Sequence, residues 1–269
     1  MSVVVYTHPL RTIWMEWHRQ DDGVAVVTAY GDQAPEAQIP DHDVLILHSD
    51  VVHSHHYPDP DRNTERCLAE VAAFLPEINI SDTVSDTTIR VISSSATLYD
   101  AAWTTLLAWS TDLYDPQRPA ESAVMTDVEA DLVVLSHEGP VLFAGHRGST
   151  WWCGALHNEV LILDRHQPQE EDVVASISTH LADIRRHVDN LSDLVVFGDR
   201  VQPDVLAQFA SSTDLQLTRV RRLEPFRHVR SALSPEQEKS VLQRSHLLGC
   251  MVAPMMDVCE LPNAYTIRP

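Results

Sequence analysis

Lysine is almost missing from this chain. Lys239 is its single lysine, and arginine carries nearly all the positive charge. Acidic residues outnumber basic ones 39 to 19, for a formal net charge of −20. A surface of that sign repels phosphate backbones and anionic lipid heads, which argues against nucleic-acid binding and direct membrane insertion. Cysteine is scarce as well. Cys67, Cys153, Cys250 and Cys259 stand far apart with no Cys-x-x-Cys pair. A chain of 269 residues needs no disulfide staples, so reduced thiols are expected. No apolar run reaches the length of a membrane span: Leu247 to Met256 covers only ten residues and contains Pro254. The first residues lack the basic region of a signal peptide, so a cytoplasmic protein is expected. Nor is there a GxSxG, HExxH, P-loop or GxGxxG motif.

What is present is a globular composition, 44% hydrophobic, patterned as alternating strands and helices. "SVVVYT" and "RTIWMEWH" alternate apolar and polar residues, as half-buried strands do. "GVAVVTAY" follows an Asp-Asp-Gly turn at Asp21 to Gly23, a hairpin signal. "DVLILHSDVVHSHHYP" reads as a strand pair turning at Ser49-Asp50. "DPDRNTERCLAEVAAFLP" reads as a helix stopped by Pro76, "TTIRVISS" as a strand, and "ATLYDAAWTTLLAWST" as a second helix.

The second half repeats this order. Strands are expected at Ala123–Asp127, Leu132–Ser136 and Val141–His146, with a fourth near Glu159–Leu163. A helix from about Pro168 to Val188 has acids in its first turn and Arg185, Arg186 and His187 in its last, the order a helix dipole favours. "DLVVFGD" reads as a buried strand, Pro203–Phe209 as a short helix, "LQLTRV" as a strand, and Pro235 to Met251 as a final helix.

A meander followed by helices and strands, given twice, resembles the actin-like ATPase superfold. The resemblance implies an α/β fold of two ribonuclease-H-like lobes, each a mixed sheet flanked by helices. Within that group "VVHSHHYPDPDRNTERCLAEVAAFLP", "MTDVEADLVVLSHEGPVLFAGHRGS", "HLADIRRHVDNLSDLVVFGD" and "RSHLLGCMVAP" are similar to segments of PilM-type pilus-assembly proteins. They are also similar to segments of the cytoplasmic domain of the type II secretion L protein. The two prolines of "LYDPQRPAES" mark the boundary. The resemblance then gives a first lobe over 1–114, with an inserted subdomain at about 42–88, and a second lobe over 121–269.

In the active relatives each lobe offers a strand–turn–strand loop to the nucleotide phosphates. Glycine lets the backbone approach the anion with its N–H groups turned inward. Here the first loop, "VVVYTHPLRTIW", has no glycine, and Pro9 has no N–H to give. In the second loop Asp127 and Asp131 fit the two ends, but Glu129 stands where glycine belongs. Two like charges about 4 Å apart cost ~4 kcal/mol at an effective dielectric of about 20. The alternative for these acids is that Asp127 caps a turn and Glu129 is solvated. Arg147 and Gly148 are candidate anion ligands, and Gly198 is what remains of the adenosine loop. The expected state is a remnant nucleotide site without cofactor; the alternative is ATP with magnesium, Asp127 holding the metal through water.

Two further patterns bear on function. His53 and His55 fall on one face of a strand and are candidate ligands for zinc or copper. Trp151 and Trp152 are adjacent on a strand and point opposite ways, so one is expected to be exposed and to meet a partner. The resemblance implies a non-catalytic scaffold that binds a segment of a bitopic inner-membrane protein in a pilus or secretion platform. The competing reading is an ATPase or small-molecule kinase on the same fold.

Overall fold

The computed structural model describes residues 1–8, 10–34, 41–48, 53–57, 64–74, 87–98, 101–110, 123–136, 138–148, 150–157, 160–166, 172–188, 191–198, 201–252 and 264–267. Its first sheet opens with an antiparallel meander of β1 (Ser2–His8), β2 (Arg11–Arg19) and β3 (Ala25–Gln33). On the other side of β1 lie β4 (Val44–Leu47), parallel to it, and then β8 (Ala123–Thr126), parallel to β4. A short strand, β14 (Val229–Ser231), extends the sheet beyond β3.

The second sheet repeats that plan. Its meander is β9 (Val141–Arg147), β10 (Thr150–His157) and β11 (Val160–His166). Beside β9 come β12 (Asp193–Gly198) and β13 (Arg219–Arg222), both parallel. Each sheet therefore has its first strand in the middle, a meander to one side and parallel strands to the other. This is the doubled, ribonuclease-H-like architecture that the order of elements implies.

A third sheet is antiparallel throughout. It orders β15 (Ala264–Ile267), β6 (Thr87–Leu98), β7 (Ala101–Ser110) and β5 (His53–Tyr57). Helix α1 (Thr64–Phe74) lies in the chain between β5 and β6. Two expectations fail here. β4 and β5 are no strand pair, because β4 is held between β1 and β8 while β5 pairs with β7. The expected second helix is strand β7, since its Trp- and Thr-rich alternation suits a pleated surface better than a helix.

The sharpest difference is at the start of the second half. Ala123–Thr126 opens no second meander, because it completes the first sheet. The residues after it, expected as a turn and a strand, form helix α2 (Asp127–Ser136). Residues Asp127 through Leu135 are all buried. A helix covered on every side has no amphipathic period, so its Leu-Val-Val-Leu run looks like a buried strand.

Helices α3 (Val173–His187) and α4 (Pro203–Ser211) cover the outer face of the second sheet. Asp172 caps α3 by accepting from the Ala175 N–H at 3.0 Å. Val174, Ile177, Leu181, Ile184 and Phe209 pack there on Leu142, Ala144, Trp151 and Cys153. The inner face carries Phe143, Trp152, Val195 and Phe197, which share one core with α2 and the first sheet. The expected last helix is broken into α5 (Pro235–Leu242), a 3₁₀ turn (Ser245–Leu248) and α6 (Gly249–Val252). The turn and α6 lie along α2 and close the core with Leu247, Leu248 and Met251.

Candidate functional site

The doubled topology locates the two equivalent strand–turn–strand loops. The first is the β1–β2 turn after His8, and the second is the β9–β10 turn after Arg147. The expected second loop, from Asp127 to Asp131, is instead the first turn of α2.

Glu129 neither faces an anion nor lies in solvent, being 1% exposed. Its Oε2 accepts the Thr126 N–H at 2.8 Å and the Thr126 hydroxyl at 2.9 Å. The Glu129 N–H in turn donates to the Thr126 hydroxyl at 3.2 Å. This is a reciprocal capping box, with Thr126 as the cap and Glu129 three residues on. The Thr-Asp-Val-Glu sequence before an apolar run was its signal. Asp127 is fully buried at the start of the helix, where its charge suits the dipole.

Asp131 and Arg147 form a fully buried ion pair. Arg147 donates to one carboxylate oxygen from Nε at 2.8 Å and from Nη2 at 2.6 Å. The Ser245 hydroxyl donates to the other oxygen and accepts from Arg147 Nη2 at 3.2 Å. The Gln243 carbonyl accepts from Arg147 Nη1 at 3.4 Å, and the Phe197 ring lies 5.9 Å from the guanidinium carbon. Burial pushes the Asp131 carboxyl up to about 6, against the pull of Arg147 and Ser245.

Around this pair the backbone is tightly drawn. Gly198 is paired with His146, at φ +108, and a Cβ on it would stand 1.9 Å from the His146 carbonyl oxygen. Gly198 thus lies beside the strand end that carries Arg147 and Gly148. Asp131 is bound to Arg147, while Glu129 is turned to Thr126. At the first loop the Leu10 N–H donates to His8 Nδ1 at 3.1 Å.

The one guanidinium of the second loop is turned inward and buried, and the Leu10 N–H already has a local acceptor. Among the described residues no three His, Cys, Asp or Glu side chains are grouped to hold a metal ion. His53 and His55 sit on β5 opposite Ala108 and Leu106, and their side chains lie outside the described residues.

The tryptophan expectation is corrected. Trp151 is 5% exposed and Trp152 is 0% exposed. Trp151 packs edge-on to His146 at 5.1 Å, and Trp152 enters the inner core. Both faces of β10 are covered, so alternation brings neither ring to the surface.

Sequence reading missed the residues after α5. Arg244 donates to the Tyr30 hydroxyl and pairs with Asp32 at 3.2 Å. Ser245 joins the buried pair, and His246 packs on Tyr6 with ring centroids 4.4 Å apart. Ser245 stands 98 positions from Arg147, so no local spacing could announce the contact. Glu138 in the α2–β9 turn, its side chain 5% exposed, binds Arg221 at 2.7 Å and His228 at 3.3 Å.

No family model matches the chain, and no curated protein matches it in sequence. Solved structures do match in fold. The PilM–PilN type IV pilus biogenesis complex aligns with TM-score 0.57 at 9% identity, over 94% of this chain and 99% of that one. A Bacteroides thetaiotaomicron protein of actin-like ATPase fold and unknown function aligns with TM-score 0.51 at 8% identity, over 89% and 94%. The cytoplasmic domain of EpsL, from the type II secretion system of Vibrio cholerae, aligns over 94% and 95% at 14% identity, with a TM-score of 0.46 that is too low to carry an assignment. The fold is thus actin-like.

Proposed function

We propose that this chain is an actin-fold scaffold that performs no nucleotide chemistry and acts by holding a protein partner. The observation that carries the reading is the buried Asp131–Arg147 pair. In the turn where an actin-like loop would offer donors to phosphate, the one strong donor is committed to an internal carboxylate. Releasing it would leave Asp131 uncompensated in the core, at a cost of several kcal/mol. The capping role of Glu129 and the His8-bound Leu10 N–H support the same conclusion.

The partner we propose is a short cytoplasmic segment of a single-span inner-membrane protein, in a pilus or secretion platform. The first structural neighbour is itself solved as a complex, PilM with PilN, in pilus biogenesis. A net charge of −20 favours a segment rich in arginine or lysine. Among the described residues no helix is long and apolar enough to cross a membrane, so attachment through such a partner is the route we propose.

Calorimetry with ATP and magnesium tests the first half of the proposal. No binding heat is expected. Saturable binding that disappears in Asp127→Ala would establish the competing reading, a nucleotide-using enzyme. Co-purification from solubilised membranes tests the second half. The expected product is a single-span protein whose cytoplasmic segment, made as a peptide, binds alone. Recovery of soluble proteins only would count against it.

A further inference from the structure

We propose that Arg244, Ser245 and His246 form a clasp between the two sheets, and that protonation of His246 opens it. Three consecutive side chains reach three separate parts of the molecule. Arg244 is fastened to Tyr30 and Asp32 of β3. Ser245 is fastened to Asp131 of α2 and Arg147 of β9. His246 is wedged against Tyr6 of β1. The 3₁₀ turn that carries two of them is thus the piece that ties the first sheet, the connecting helix and the second sheet together.

His246 is the member of the clasp that can be switched. Its ring is 1% exposed, and neither ring nitrogen has a hydrogen-bond partner. A neutral ring packs on Tyr6 with one N–H and one lone pair unpartnered, and carries no charge. A protonated ring would bring two N–H donors and a charge, with no acceptor for either. The surrounding charges worsen this. Arg147 faces it from β9, Arg244 from its own segment, and His48 from the end of β4. His48 in turn packs edge-on to His8 at 4.5 Å. The nearby carboxylates are already engaged, Asp131 by Arg147 and Ser245, and Asp32 by Arg244 and Arg11. Asp127 stands at the start of α2, one turn before Asp131, and its charge acts on that carboxyl. Helix α5 carries Glu236 and Glu238 in its first turn and Lys239 in its last. Burial first, then the charges of Arg147, Arg244 and His48, hold the ring well below the usual imidazole range.

The proton is therefore admitted only when the turn lifts away from β1 and α2 and lets water reach the ring. Opening becomes more favourable as pH falls through about 6.5, until Asp131, held near about 6 in the closed fold, takes up its own proton and offsets the gain. The clasp is closed at neutral pH and loosens in acid, while the core on the outer face of the second sheet, which holds no residue of the turn, stays closed.

Hydrogen exchange read by mass spectrometry on the full chain tests this, on the peptide covering residues 244–251. After correction for the intrinsic rate, that peptide should lose about threefold in protection between about pH 7 and 6 and then level off as Asp131 takes up its proton. Peptides from β9 and β12 should hold theirs. In His246→Phe the loss should vanish. An unchanged wild-type peptide across the same range overturns the proposal, as does a Phe variant that opens like wild type. If the Phe variant does not fold, the wild-type ring resonance decides. A His246 signal titrating near about 6.5 with the peptide still protected sinks the idea, and one that titrates only together with opening supports it.

Discussion

Gly249 passes Ala130 so closely that a Cβ on it would stand 2.2 Å from the Ala130 carbonyl oxygen. The atom in the way is backbone, inside a buried helix, and it cannot swing aside. This contact sets how near α6 can lie to α2, and with it the seat of the Arg244–His246 clasp. Gly249→Ala should force the two apart. Overpacking of this kind costs about 1–3 kcal/mol, and the melting temperature should fall accordingly. A variant that melts with wild type would show that the segment yields without strain.

The Asp131–Arg147 pair makes a double-mutant prediction. Asp131→Leu alone leaves a buried guanidinium without its counter-charge, and Arg147→Met alone leaves a buried carboxylate. Breaking a buried pair from one side costs about 3–5 kcal/mol. Replacing both sides with apolar residues should recover most of that loss, because the desolvation penalty then disappears with the attraction. Denaturant titration of the four proteins checks this. Additive losses would mean that the two groups are coupled to other partners more than to each other.

Thr126 and Glu129 predict a smaller effect. Thr126→Val removes the hydroxyl that caps α2 but keeps the shape, and should cost about 0.5–2 kcal/mol. Glu129→Ala should cost more, because the Thr126 N–H is then buried without its acceptor, a penalty of about 1–3 kcal/mol. Thermal melts of the two variants should rank in that order. The reverse order would make the hydroxyl, not the carboxylate, the anchor of the cap.

The first sheet was legible because its meander is half exposed. β2 runs alternately buried and open, so its side chains report the pleat. The doubling of the fold was legible as an order of elements. Helix α2 was not, because burial on every side erases the period that separates a helix from a strand. The tryptophans misled for a related reason: alternation along β10 is real, but both faces of that strand are covered. As for the site, its residue types could be read and its contacts could not. Arg147 was legible as an anion ligand by type. That its anion is Asp131, sixteen positions back and joined by Ser245, depends on where a distant turn closes the core.

Asp131 and His246 together shape how stability should depend on pH. The His246 pKa is lowered in the fold, so the unfolded chain binds more protons below about 6.5 and stability falls as pH drops through that value. Asp131 works in the opposite sense. Its pKa is raised from 3.8 to about 6, so the folded chain binds more protons between those values and acidification there favours the fold. The wild-type unfolding free energy should therefore decline first, from neutrality to about pH 6, and then flatten as Asp131 takes up its proton. Removing Asp131 removes the compensation. In Asp131→Leu/Arg147→Met the decline should continue below about pH 6, at up to about 1.4 kcal/mol per unit. Denaturant titrations of wild type and the double variant at matched pH values give the difference, in which groups away from the pair cancel and His246, relieved of the Arg147 charge, contributes a smaller opposite change. Parallel curves would show that Asp131 holds no proton of its own in the fold, and that Arg147 keeps it charged throughout.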